Sequence, residues 1–191
     1  THWVSLEARP PNVEGRGAIS IRDLFRNTLR MRPDRIIIGE CRGPETLDML
    51  QAMNTGHDGS MTTVHANSPR DVISRLDSMV LMSNIELPVR AIREMVAAAV
   101  HIVVHTARLS DGSRKVISIS EVVDLVDGTE ILFQDLFRFE QTGVTPDGTV
   151  LGQFVSTGQL PTFFKELQVK GIPIDESIFH STPEPVLTKP S

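Results

Sequence analysis

An acid closing one apolar run, a histidine closing another, and arginines around the first are the residues whose types and spacing could do chemistry. Glu40 ends the run Arg35-Ile36-Ile37-Ile38-Gly39-Glu40. This β-branched run is too short for a helix and too apolar for an edge, and it predicts a strand buried on both faces. Open α/β sheets bind ligands in the crevice at the carboxyl ends of their strands, which is where Glu40 would stand. A carboxylate there can orient a water, or it can cap the helix that opens after Gly43. Arg30 and Arg32 come just before the run and Arg42 just after it. Together they suit a polyanion beside a water to be activated, although singly each also fits a surface ion pair.

The second group lies in Gly56-His57-Asp58-Gly59-Ser60-Met61-Thr62-Thr63-Val64-His65-Ala66-Asn67. Paired glycines make a tight turn, and the following strand ends in His65 on the same edge as Glu40. Thr62 and Thr63 add hydroxyls, so Glu40 and His65 could converge on one ligand. His57 reads as a structural member of the turn.

Elements must deliver these groups. Trp3-Val4-Ser5-Leu6 alternates and reads as the end of a strand, followed by a loop through Pro10-Pro11 and Gly15 to Gly17. Ser20-Ile21-Arg22-Asp23 has capping-box spacing, and Leu24, Phe25, Thr28, Leu29 and Met31 form the apolar face of a helix that Pro33 stops. Gly43-Pro44-Glu45 opens a second helix with Leu47, Leu50 and Met53 on one side. A strand over residues 60–65 follows, then helices opening at Asn67-Ser68-Pro69 and at Pro88, and residues 102–104 are expected to resume the parallel sheet. After Leu109 the turns Asp111-Gly112, Asp127-Gly128 and Asp147-Gly148 separate β-branched and aromatic runs, which predicts antiparallel hairpins. A last helix over 163–170 and a Pro-rich tail over 182–190 close the chain. The expectation is an α/β core over 1–109 with a β and helical appendage over 110–191.

Composition narrows the function class. A 40% apolar, 23% charged chain of 191 residues is an ordinary globular composition. Its most apolar stretch, residues 95–104, is far short of the roughly 20 residues a membrane span requires. Cys41 is the single cysteine, which excludes an internal disulfide and suits a reducing cytoplasm. The net charge is −5, yet residues 1–42 hold eight arginines against five acids. Local arginine density in an acidic chain points to a specific anion site and away from nucleic acid, which calls for a basic stripe. The chain starts at Thr1 in what reads as mid-strand, and a fragment or processed product is expected.

Leu29-Arg30-Met31-Arg32-Pro33-Asp34-Arg35 leading into Ile36-Ile37-Ile38-Gly39-Glu40-Cys41-Arg42, then Thr55-Gly56-His57 with Thr63 and His65-Ala66, resembles the hexameric secretion ATPases of the type II/type IV pilus and conjugation family. The first block is similar to that family's Walker B motif and the second to its histidine box. Arg9-Pro10-Pro11-Asn12 and Met49-Leu50-Gln51-Ala52-Met53-Asn54 look closest to the tight-adherence/Flp pilus branch. The resemblance implies a RecA-like P-loop core and ATP with Mg2+. Glu40 would polarise the attacking water or reach the magnesium through a bound water, and His65 would sense the γ-phosphate. Arg42, Thr62 and Thr63 would contact the nucleotide, and Arg30 or Arg32 would act across a subunit boundary. It also implies a homo-hexamer at the cytoplasmic side of a bacterial inner membrane, working with a platform protein and without membrane insertion or nucleic acid.

No Gly-x-x-x-x-Gly-Lys-[Ser/Thr] loop occurs, and the four lysines stand at 115, 165, 170 and 189. The expectation is therefore that the parent hydrolyses ATP while this piece by itself is inactive. Two other readings stay open from the residues alone. One is a metal-dependent hydrolase using His57, Asp58, His65 and Glu40. The other is a non-catalytic assembly or nucleic-acid-binding fragment.

Overall fold

The computed structural model describes residues 2–180, so the proline-rich tail lies outside the described residues. The chain divides into two compact units, one of residues up to 66 with Arg70–Ala99, the other of Asn67–Pro69 with the residues from Val100 onward.

In the first unit, helices α1 (Ile21–Leu29), α2 (Glu45–Met53), α3 (Pro69–Leu81) and α4 (Val89–Ala99) accompany strands β1 (Ile37–Ile38) and β2 (Met61–Thr62). Ser20 caps α1 as its spacing predicts, with Ser20 and Asp23 each accepting from the other's backbone N–H. The helix stops at Leu29, earlier than the apolar face suggests, and Arg32 turns the chain with φ 55° ahead of Pro33. Phe25 is the only buried residue of α1. Helix α2 is the centre of this unit, since Leu47, Met49, Leu50 and Ala52 are all buried and it packs on both α1 and α4. Arg22 and Arg26 of α1 both pair with Asp48 of α2, at 2.5 and 3.3 Å.

β1 and β2 pair in parallel, Ile37 opposite Met61 and Ile38 opposite Thr62. Parallel neighbours require a crossover, and α2 supplies it. The expectation of a strand buried on both faces is half corrected. Ile36 and Ile38 are 6% exposed, but Ile37 is 50% exposed and Met61 55%. Side chains alternate along a strand, and nothing among the described residues covers the Ile37 face. Trp3-Val4-Ser5-Leu6 forms no strand either, because the one pairing in that region is the isolated bridge of Arg9 with Ile19.

The second unit is an antiparallel meander, β3 (Ile102–Arg108), β4 (Arg114–Val126), β5 (Glu130–Val144) and β6 (Val150–Ser156), hydrogen-bonded in chain order. Helix α5 (Phe164–Val169) and a 3-10 turn (Glu176–Phe179) follow. Residues 102–104 do not resume the parallel sheet. They pair antiparallel with residues 119–121, because the Asp111-Gly112 turn lets β4 fold straight back on β3. The hairpins thus begin before Leu109. On β6, Gly152 sits under the Phe139 ring, where an added Cβ would lie 2.4 Å from the ring and 2.6 Å from the Glu140 carbonyl. Phe139 can hold that position only because residue 152 has no side chain. Glu121, 1% exposed, accepts from the Thr162 backbone N–H at 3.0 Å and from its hydroxyl at 2.5 Å, which ties the segment before α5 to the sheet.

Candidate functional site at the carboxyl ends of the parallel pair

Glu40 stands two residues past the end of β1 and His65 three past the end of β2, so parallel pairing brings both to one edge. His65 Nε2 is 3.1 Å from Glu40 Oε1, and Arg42 Nη2 is 2.5 Å from Glu40 Oε2. Each carboxylate oxygen therefore faces a different nitrogen. The Glu40 side chain is 20% exposed, whereas Arg42 and His65 are 71% and 81% exposed, so the acid is recessed beneath two reachable donors. The Arg42 guanidinium, and behind it the charges of His65 and Arg75, hold the Glu40 carboxyl below its usual range against some loss of solvation. The site presents an ionised carboxylate flanked by groups that can bind an anion.

Thr63 works on the backbone. Its hydroxyl donates to the Gly39 carbonyl at 2.6 Å, and its own carbonyl accepts from the Cys41 N–H at 3.0 Å, so it grips the peptides on both sides of Glu40. The Thr62 hydroxyl lies 3.4 Å from Cys41 Sγ and 3.3 Å from the Thr63 carbonyl. Cys41 is 1% exposed and burial pushes its thiol up, consistent with a packing role.

Other sequence candidates fall elsewhere. Arg30 caps the carboxyl end of α1 and Arg32 follows in the left-handed region, both exposed. Neither forms a salt bridge among the described residues. The His57 carbonyl accepts from the Ser60 N–H and hydroxyl, while its ring Nδ1 is 3.3 Å from the Ala52 carbonyl, which makes it part of the turn. Among the described residues no three His, Cys, Asp or Glu side chains gather closely enough to hold a metal, so the hydrolase reading built on His57, Asp58, His65 and Glu40 has no ligand cluster.

Two contributors escaped sequence reasoning. Arg75 reaches the field of Glu40 from α3, and nothing in its local sequence signals that. Glu45 reads as an ordinary helix-opening acid, but its side chain turns back to the loop before the helix. The one sign in the sequence was an acid immediately after Gly43-Pro44, three residues past Arg42.

Residues 6–138 match the family described as Type II/IV secretion system protein. The chain belongs to that family. A Mycobacterium tuberculosis (strain H37Rv) protein named for conjugal transfer is 44% identical over 119 residues, which are 62% of this chain and 33% of that one. VirB11 of the Brucella abortus (biovar 1) type IV secretion system is 37% identical over 108 residues, 55% of this chain and 30% of that protein. Among solved structures, the VirB11 ATPase from the Brucella suis type IV secretion system, in complex with sulphate, superposes with a TM-score of 0.51 at 34% identity. That match covers 54% of this chain and 32% of VirB11. The chain spans about a third of the length of the curated relatives it matches.

Proposed function

We propose that this chain is the water-orienting and phosphate-sensing part of an ATPase that powers protein secretion, conjugation or pilus assembly. The carrying observation is the recessed Glu40 carboxylate held between Arg42 and His65 at the carboxyl ends of β1 and β2. A RecA-like core puts a polyphosphate at such an edge, and the family membership favours that core over other α/β arrangements. Bound with ATP, Mg2+ would supply positive charge that offsets the phosphates, and of the residues present Glu40 would hold it, through a bound water. The residues present suit such a ligand. Glu40 accepts hydrogen bonds from a water and orients it, directly or through the hydration shell of the ion. His65, 81% exposed, can leave the carboxylate for a phosphate oxygen, while Arg42 can offer its remaining N–H groups to the nucleotide without leaving Glu40. Thr62 and Thr63 line the strand that brings His65 to the edge.

The 191 residues include no glycine-rich loop with Lys and Ser/Thr, so the backbone cradle for the β- and γ-phosphates must come from other residues of the parent. On this reading the isolated chain turns over no ATP, and a phosphate-release assay with turnover abolished by Glu40→Gln would overturn that. The parent is a homo-hexamer at the cytoplasmic face of a bacterial inner membrane, engaging a platform protein there. The Arg9-Pro10-Pro11-Asn12 segment favours the tight-adherence/Flp branch.

The deciding experiment uses the full-length parent. Glu40→Gln keeps the shape and removes the charge, so kcat should fall by about 10²–10⁴, the range for losing a positioned base, with ATP binding nearly intact. Equal loss of binding and turnover would show that Glu40 only holds the fold.

A further inference from the structure

Glu45 lies in the first turn of α2 and is 6% exposed. A carboxylate taken out of water is costly unless it is well hydrogen-bonded. Its Oε1 accepts from the Arg42 N–H at 2.7 Å and the Gly43 N–H at 3.0 Å. Asp23 makes the same reach of three residues back in the cap of α1, but no side chain caps α2 in return, and Glu45 takes a second bond from the loop at Gly43. The bonds of Glu45 run backward, so they fix the path of the loop. Space is set by the same side chain, since a Cβ at Gly43 would stand 3.3 Å from Glu45 Oε2.

Together with Thr63, which holds the Gly39 carbonyl and the Cys41 N–H, Glu45 leaves little freedom in the backbone between β1 and α2. Arg42 is long and exposed. Its guanidinium stays on Glu40 at small entropic cost only if its own backbone is fixed.

We infer that Glu45 is a positioning residue, whose Oε1 holds the Arg42 and Gly43 peptides so that Arg42 remains on Glu40. This rests on the reading of Glu40 as the water-orienting group. The role requires an acceptor oxygen at that place and does not require charge.

The test compares Glu45→Ala, which removes the acceptor, with Glu45→Gln, which keeps it, in the full-length parent. Misplacement by about 1 Å can cost up to about 100-fold, so Ala should lower kcat about 10- to 100-fold while KM for ATP moves less than about threefold, and Gln should stay within about threefold of wild type. Equal losses in Ala and Gln would overturn the inference, as would wild-type kcat in Ala. If Glu45→Ala fails to fold, Glu45→Asp replaces it, since one methylene fewer draws the carboxylate off both amides. Asp should then lose rate as expected for Ala, and wild-type turnover would overturn the role. The second readout is amide hydrogen exchange in the 191-residue chain. Glu45→Ala should speed exchange at Arg42 and Gly43 and leave Leu50 and Val96 unchanged, whereas unchanged exchange at Arg42 and Gly43 would overturn the inference. A full-length parent without ATPase activity would defeat the proposed function, and the exchange measurement would still decide the role of Glu45.

Discussion

At Glu40 the chain spends a negative charge where one guanidinium touches one oxygen and an imidazole the other. The contact with Arg42 is the largest influence lowering its titration, and the exposure of Arg42 means solvent screens part of it. Because the folded carboxyl titrates below the ordinary glutamate value, the favourable pairing is complete above that value and is lost as pH falls through the lowered one. Arg42→Ala should therefore move the Glu40 midpoint upward, toward the ordinary range. Carboxyl carbon shifts of Glu40 followed through an acid titration of wild type and variant give the answer. An unmoved midpoint would remove Arg42 as the cause.

Elements set how exposed each of these residues is, and α1 depends on one of its own. With Phe25 alone buried on that helix, 3% exposed, Phe25→Ala should destabilise the first unit by about 3–5 kcal/mol. Chemical denaturation followed by circular dichroism would measure it, and a loss below about 1 kcal/mol would mean that the ion pairs of Arg22 and Arg26 with Asp48 dock the helix instead. Much of this was legible in the sequence, because caps and turns act locally. Ser20 with Asp23 announced the start of α1, and Asp127-Gly128 the turn between β4 and β5. The convergence of Glu40 and His65 was legible too, since both end β-branched runs. What was not legible depended on distant partners. Residues 102–104 look the same whether they join a parallel sheet or a hairpin, and only the pairing with β4 decides it. The Ile36-Ile37-Ile38 run reads as doubly buried, but its second face needs a neighbour that periodicity cannot name. The turn of the Glu45 carboxylate back onto Arg42 and Gly43 is likewise a matter of rotamer and loop path, which spacing does not encode.

At the scale of the whole molecule, Arg30 and Arg32 are exposed and outside the Glu40 pairing, beyond the end of a helix that places them away from the core. On the reading that one of them completes a neighbouring subunit's site, removing it costs about 10³–10⁵ in rate, as for arginines that reach across in phosphoryl transfer. Full-length parent carrying Arg30→Ala or Arg32→Ala, mixed with parent carrying Glu40→Gln, should regain activity at mixed boundaries. Mixed rings that form and stay as inactive as either parent would sink the role across subunits.

The two sheets also differ in how much chain must be drawn together before they exist. Residues 39–60 separate β1 from β2, whereas residues 109–113, 127–129 and 145–149 separate the successive strands of the meander. Closing the longer loop spans at least two doublings of length, an extra entropic cost of about 1 kcal/mol at about 0.6 kcal/mol per doubling. The meander can close turn by turn from contacts near in sequence, the low-contact-order arrangement that assembles quickly. Helix α2, once formed, shortens the path between the two parallel strands. The edge bearing Glu40 and His65 is therefore expected to form after the meander, and pulse-labelled exchange that protected the Cys41 amide before the Val122 amide would contradict that order.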